Sequence, residues 1–444
     1  MIKKIIFVII LGLLYINNYA QSDSLILSKN AVLKVDSILI EGNNITKDFV
    51  IFRELTIKPG DLVSGATVDY NSERVFSLGL FNKVILYFNK QQNPEKNNLV
   101  IHVEESWYIY PIPFVQLRDK DLSRSSYGLY ITYKNFRGRN EEIKTKISLG
   151  YDPTYYVEYY NPLIIESWDI SFSTALTYQT ILNKSKIAEK MYGEEFSYKY
   201  RKVDFIFGKR LNPFNTVYSI FGFKYLDAPA DINKNILASN SSIDRVFSAG
   251  LSYVRDTRDL KQFAGSGIYG SASLTHFGFG IKNISYNILY ADYRQYQNVI
   301  SNFILKWRGT YRHTFGENIP FYDQSYLGNG EYVRGHKNDL REGNNSILSS
   351  VELVYPVVKN WNISLDLPLL PKKLTSARVG IYLSSFADAG IIYNNGDRIK
   401  IPNFDAGYGV GMTILVLPFN AIRFEYAFNK YKKSEFILGT GFSF

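Results

Sequence analysis

Ile422-Arg423-Phe424-Glu425-Tyr426-Ala427-Phe428-Asn429 alternates large apolar side chains with Arg, Glu, Ala and Asn. A period of two places the two sets on opposite faces of a strand. The pattern recurs upstream. Ile143 to Tyr151 sets Ile143, Ile147 and Leu149 against Lys144, Lys146 and Ser148, and Val217 to Tyr225 and Phe247 to Tyr253 behave likewise. Alternation alone would also describe a soluble sandwich. Its sense is more telling: from Trp107 to Phe444 one face is large and aromatic, and the other collects Gly, Ser, Lys, Arg and Asp. A soluble barrel needs an apolar interior, whereas a wide barrel in lipid needs the reverse. The pattern predicts an all-β transmembrane barrel.

The composition fits. The 444 residues include 36 Tyr and 30 Phe, an excess suited to pleated surfaces and to aromatic girdles at membrane interfaces. With 46% hydrophobic and 21% charged residues, disorder is not expected. The absence of Cys excludes disulfides, thiolate metal sites and a lipid-modified N-terminal Cys. The net charge of +10 does not point to nucleic acid, because Lys and Arg are spread over alternating strand positions instead of clustering.

Segments of this kind number about sixteen, an even count within the range of bacterial barrels. They start near residues 107, 126, 141, 154, 167, 196, 215, 243, 266, 285, 300, 346, 377, 405, 421 and 434. An even count returns the C-terminus to the side where the chain enters. The short connections Arg210 to Asn215 and Pro418 to Asn420 are then periplasmic, and the longest, Phe315 to Asn345, is extracellular. Closure is expected to pair every strand edge, because lipid offers no hydrogen bonds.

Ahead of the barrel, Lys3, Lys4 and the apolar run Ile5 to Ile16 read as a signal peptide over residues 1–20, too short for the ~20 residues of a spanning helix. No later segment holds an apolar run long enough to span. From Val32 to Glu105 the periodicity is mixed. Leu33 to Ile40 alternates, Lys47 to Leu55 and Thr67 to Leu80 have helical spacing, and Phe81 to Asn89 and Asn98 to Glu104 alternate again. This predicts a small β-α-α-β-β module of the α+β class, with domains at 32–105 and 106–444.

These residues resemble a known family. The runs "VDSILIEGNNIT", "FRELTIKPGD", "ERVFSLGLFNKV" and "NNLVIHVEE" are similar in order and spacing to a POTRA domain. Val333-Arg334-Gly335-His336 resembles the VRG-aromatic signature of loop six in BamA/TamA-type (bacterial surface antigen) outer-membrane proteins. "SVELVYP" (Ser350 to Pro356), "FADAG" (Phe386 to Gly390) and Gly407 to Phe428 look like that family's last strands, and the chain ends in Phe444. Two departures stand out: His336 replaces the usual Phe or Tyr, and a single POTRA is fewer than dedicated assembly factors carry.

The resemblance implies a loop-six cluster of Arg334, Gly335, Glu352 and Asp388, in which the Arg enters the lumen and pairs with acids on the next two strands. Strand parity puts Glu352 opposite Val351 and Leu353, and Asp388 on the face of Arg378, Gly380 and Tyr382. The planar guanidinium fork is able to bridge two carboxylates. A solvated Arg-Gly turn is the plain alternative. Pro111 and Pro113, two residues apart in the first strand, remove N–H donors from one edge. With Phe442 and Phe444 they mark the expected closing seam, where relatives are thought to open. A linker position below the membrane is equally open for the prolines. Phe436, Leu438, Phe442 and Phe444 alternate towards lipid and resemble the C-terminal signal of assembled barrels.

No enzyme is expected. His102, His276, His313 and His336 lack metal-ligand spacing, and Asp256 and Asp259 in "RDTRD" have no nucleophile–base pair beside them. No cofactor is implied. The leading reading is an insertion or assembly factor whose POTRA domain engages unfolded polypeptide and whose seam releases it into outer-membrane lipid. The alternative is a pore that secretes a partner protein through the lumen, which the single POTRA mildly favours. A passive porin is the third. Unfolded outer-membrane or secreted polypeptides are the expected partners, with periplasmic chaperones or accessory lipoproteins in support and no nucleic acid.

Overall fold

A computed structural model describes residues 31–89, 96–118, 121–229, 237–300, 302–328 and 330–442. The signal segment 1–20 and Phe444 lie outside the described residues. The N-terminal module comprises β1 (Val32–Lys34), β2 (Ser37–Glu41), α1 (Asp48–Phe52), β3 (Leu62–Ser64), α2 (Gly65–Phe76), β4 (Phe81–Asn89) and β5 (Asn98–Glu105). Its three-stranded sheet has the order β2-β5-β4, with β5 parallel to β2 and antiparallel to β4. The alternating run at Leu33 is two strands, not one. Val35 donates its N–H to Asp61 O at 2.9 Å, ending a short ladder between β1 and β3. Asp36 then accepts the Asn97 N–H at 2.8 Å, and the chain enters the main sheet. The hydroxyl of Ser64 caps α2 by accepting the Thr67 N–H. Ile51, Val75, Phe81, Leu99 and Ile101 form the buried centre, each worth roughly 1.5–3 kcal/mol of apolar burial.

Sixteen antiparallel strands follow in one sheet. The first eight are β6 (Ile109–Arg118), β7 (Asp121–Phe136), β8 (Glu141–Gly150), β9 (Thr154–Ile165), β10 (Ile170–Leu182), β11 (Ser197–Asn212), β12 (Asn215–Asp227) and β13 (Ile243–Asp256). Then come β14 (Gly267–Phe277), β15 (Ser285–Asn298) and β16 (Ile304–Glu317). The long loop after β16 carries its own hairpin, β17 (Ser325–Leu327) and β18 (Arg341–Gly343). The barrel resumes with β19 (Asn345–Ser364), β20 (Ser376–Tyr393), β21 (Asp405–Leu417), β22 (Asn420–Asn429) and β23 (Ser434–Thr440). Among the described residues no helix is long and apolar enough to cross a membrane.

Register turns alternation into an inside and an outside. Phe205 pairs with Phe221, and Phe223 with Phe247, on the outer face, where Phe205, Phe221, Phe247 and Leu251 are exposed. Lys224, Asp292, Lys306, Glu352, Asp388 and Glu425 point the other way and are buried. Greasy side chains outside and charged ones inside are what lipid demands of a barrel.

One edge departs from the expected closure. The terminal strands β6 and β23 form no ladder with each other among the described residues. Pro111 and Pro113 lie within β6, opposite Ile131 and Leu129 of β7, and neither can donate to a neighbour. Strand β23 has only seven residues. Beyond it, Gly441 takes φ +95°, a conformation open chiefly to glycine. That turn breaks the alternation. Phe442, expected to face lipid, instead packs against an inner apolar cluster that includes Phe76, Leu417 and Ala421. At this end the seam is bridged by side chains, with the rings of Tyr110 and Phe419 edge-on at 6.0 Å.

Candidate functional site: the lumen loop, the periplasmic mouth and the open edge

The loop from 318 to 344 does not cap the barrel from above. It folds into the lumen. On its first leg, Asp323 takes the Lys224 ammonium at 2.7 and 2.9 Å and the Tyr286 hydroxyl, while Arg312 donates to the carbonyls of Asp323 and Gln324 at 2.7 and 3.0 Å. Burial alone would raise the Asp323 carboxyl, but Lys224, Tyr286 and Arg312 together hold it below the usual carboxylate range. The Tyr322 hydroxyl donates to Asp244 at 2.7 Å.

On the return leg Arg334 is the centre. Its Nε and Nη2 donate to the two oxygens of Asp388 at 2.7 and 2.6 Å, a bidentate fork. Nη1 reaches Glu352 at 2.6 Å and Glu425 at 3.1 Å. The backbone N–H of Arg334 also donates to Asp388, and the guanidinium lies 3.7 Å over the Phe386 ring. Arg334, Glu352, Asp388 and Glu425 are each at most 5% exposed, so solvent screens this cluster little. Arg423, 3.3 Å from Glu425, supplies a second cation.

The backbone packs as tightly as the charges. Gly335 has φ +91°, and a Cβ there would meet β22 at 3.1 Å. Asn429 donates its side-chain amide to Gly335 O at 3.1 Å. Beyond it, the His336 ring pairs with Asp339 at 2.8 Å. The Lys337 N–H and the Asn338 amide then reach Glu435 on β23 at 3.2 and 3.1 Å. The loop thereby ties β19 and β20 to the last two strands. Sequence reasoning missed Glu425, Glu435 and Phe386. Glu425 stood in view on the polar face of Ile422 to Asn429, but nothing local says which polar residue a distant Arg will meet.

The N-terminal module closes the periplasmic mouth. Phe76 of α2 is buried among Leu260, Phe263, Tyr382 and Leu417 of the barrel. Glu73 of α2 accepts a bidentate pair from Arg378 at 2.8 and 2.7 Å. Glu54 is a hub, with Arg74 of its own module at 3.0 Å and Arg210 and Lys261 of the barrel at 3.4 and 3.6 Å. Further bonds join the Tyr70 hydroxyl to Thr257 O at 3.0 Å and the Lys47 N–H to Gly138 O at 2.8 Å. Asp259 caps its own turn, accepting the N–H groups of Leu260 and Gly265, and Asp256 pairs with Arg258. These are the roles of turn carboxylates. Among the described residues no group of His, Asp and Glu is placed to hold a metal ion.

This docking should depend on acid in a defined sense. Burial raises the Glu54 carboxyl, but Lys261, Arg210 and Arg74 outweigh it and lower it below the ordinary 4.5. A lowered carboxylate contributes stability above its ordinary value and loses it as pH falls through the lowered one. At pH 5 the module should stay docked, and it should loosen only in stronger acid. Hydrogen exchange of α2 in the detergent-solubilised protein reads this. Detachment already at pH 6 would remove the ion-pair account.

A lipid-facing barrel whose lumen is filled by its own loop, joined to a small α+β module at one mouth, defines an outer-membrane protein with a periplasmic domain. The chain belongs to the Omp85 superfamily: the Omp85 superfamily domain matches residues 135–444. A POTRA domain, described as a surface antigen variable number repeat, matches residues 33–106. The chain is 27% identical over 119 residues to a protein of Treponema pallidum (strain Nichols) named "Putative outer membrane protein assembly factor". That match takes in 26% of this chain and 14% of the relative. Among solved structures, BamA from Haemophilus ducreyi lacking POTRA domains 1-3 aligns at TM-score 0.52 and 18% identity, over 92% of this chain and 83% of that one. CdiB from Escherichia coli aligns at TM-score 0.55 and 11% identity, over 92% and 75%. At these identities the likeness is one of fold.

Proposed function

We propose that this protein is a non-enzymatic assembly factor that delivers unfolded outer-membrane polypeptides into lipid through the gap between β6 and β23. The observation that carries the reading is a contrast. The lumen is filled by loop six and covered at its periplasmic mouth by the POTRA domain, while the β6–β23 edge has no ladder among the described residues. A substrate strand is chemically suited to that edge, because it brings the backbone donors and acceptors that lipid cannot. The edge strand β2 of the POTRA sheet would hold an extended segment beforehand by strand addition, with periplasmic chaperones or accessory lipoproteins as suppliers. The Arg334 cluster would hold loop six, and through Glu435 the last strand, in one arrangement.

The alternative, secretion of a partner through the lumen, requires both the loop and the POTRA domain to leave. Reconstitution separates the two. The chain has no Cys, so one cysteine placed on β6 and one on β23 form a unique lock. In liposomes the unlocked full chain should speed folding of a chemically unfolded barrel substrate severalfold, and oxidation should abolish the gain. Undiminished activity in the locked protein would rule out the seam.

A further inference from the structure

The outer face of the barrel is not uniformly apolar. Parity places Lys199 and Arg201 of β11, Arg245 of β13 and Tyr225 of β12 outward, in register with Val203, Phe223 and Phe247. Among the described strand side chains these are the outward-facing cations of the extracellular half. Lys209 and Arg255, outward on the same two strands, lie at the periplasmic end. Arg201 stands about 28 Å above the end of β11, from a rise of roughly 3.3 Å per residue and a tilt near 40°. That height lies at the outer rim of an apolar band about 25 Å tall, so the cluster sits at the outer-leaflet boundary.

Three features set it apart from an ordinary girdle. First, the two guanidiniums share one ring, with Arg201 5.0 Å and Arg245 5.6 Å from the centroid of Tyr225, and Arg201 also lies 5.5 Å from Tyr178. Second, among the described residues neither Arg has a carboxylate within ion-pair distance. The outward acid nearby in register, Asp227, stands opposite Lys199. Third, directly below Arg201 an apolar groove of about 450 Å³ runs between Tyr155, Val157, Leu176, Val203 and Phe223.

We infer that this face binds an anionic lipid of the outer leaflet, its headgroup phosphate between Arg201 and Arg245 and an acyl chain in the groove below. Charge complementarity selects the occupant. Guanidiniums form forked, charge-assisted hydrogen bonds with phosphate oxygens, and two cations at a lipid boundary that no described carboxylate pairs with are costly unless an anion joins them. A bare phosphate ion would leave the groove empty. A zwitterionic lipid offers a phosphate but brings its own cation beside it, so it neutralises two guanidiniums less well.

The test uses the purified full chain in detergent, titrated with lipid A and followed by native mass spectrometry, with phosphatidylcholine as the neutral comparison. Wild type should retain lipid A in preference to phosphatidylcholine, and Arg201→Gln with Arg245→Gln should raise the half-saturating concentration about tenfold. Arg255→Gln, at the other end of β13, should not. Val157→Trp keeps both guanidiniums but fills the groove, and should weaken lipid A binding as well. It also serves if the double variant folds poorly. Full displacement of the lipid by millimolar inorganic phosphate would reduce the site to a simple anion site and overturn the proposal. So would equal lipid binding by wild type and the double variant, or a second protein chain held on this face in place of lipid.

Discussion

Arg334→Ala is expected to lower the stability of the folded barrel by about 3–5 kcal/mol and to release loop six from the lumen. The magnitude follows from what the substitution leaves behind. Glu352, Asp388 and Glu425 are buried within reach of one guanidinium, and removing that partner strands charges that water cannot reach. Arg423, 3.3 Å from Glu425, and Lys306 of β16, opposite Glu352, compensate only part of that charge, and Asp388 loses its bidentate partner. The loss should appear as a lower unfolding midpoint in detergent, faster proteolysis within 318–344, and larger conductance in planar bilayers as the lumen empties. Arg334→Lys should rescue little, because a single ammonium cannot make the fork that spans both Asp388 oxygens. Neutralising the acids in the Arg334→Ala background, by Glu352→Gln and Asp388→Asn, should recover part of the stability, because the cost lies in unpaired charge. A variant with the wild-type midpoint and an uncut loop would end the claim that this cluster holds the loop.

Gly407→Ala should produce the same release with every charge intact. Gly407 lies on β21 opposite Asp388 of β20, where the loop backbone crosses the strand. A Cβ there would lie 1.8 Å from Arg334 O and 3.2 Å from Phe428 O. Both are backbone atoms, so no flexible side chain can move aside. Overpacking of this kind costs about 1–3 kcal/mol or more, and the loop, held by fewer bonds than the ladder, should be what yields. Gly270→Ala provides the contrast, since its nearest atom is a Tyr293 ring carbon at 3.9 Å, and it should be close to neutral. The two routes should not add. Once Arg334→Ala has freed the loop, Gly407→Ala should cost little more. Fully additive losses would mean that Gly407 acts on the sheet and not through the loop.

Much of the architecture is written locally. The outer face of β22 is legible in Ile422, Phe424, Tyr426 and Phe428 without knowledge of any partner strand, because side-chain direction in a strand depends only on parity. The same rule, applied from Trp107 onward, yields sixteen strands and an inside-out barrel, and the switch to helical spacing at Lys47 and Thr67 separates the N-terminal module. Even the resemblance at loop six rests on a short run around Arg334. Leu33 to Ile40 shows where local reading fails, for an unbroken alternation there conceals two strands bonded to different partners.

What lies between elements had to come from the tertiary structure. Arg334 meets acids 18, 54 and 91 positions away along the chain, and only the curvature of the sheet around the loop brings Glu425 into that set. The docking of Phe76 and Glu54 onto the barrel mouth joins residues that carry no local mark of contact. Among the described residues β6, with Pro111 and Pro113, and the short β23 form no ladder, and beyond β23 the turn at Gly441 sends Phe442 inward. Alternation determines which way each side chain points, a property of one strand. Ladder partners, loop placement and docking depend on contacts between residues far apart in sequence, which the folded chain alone sets.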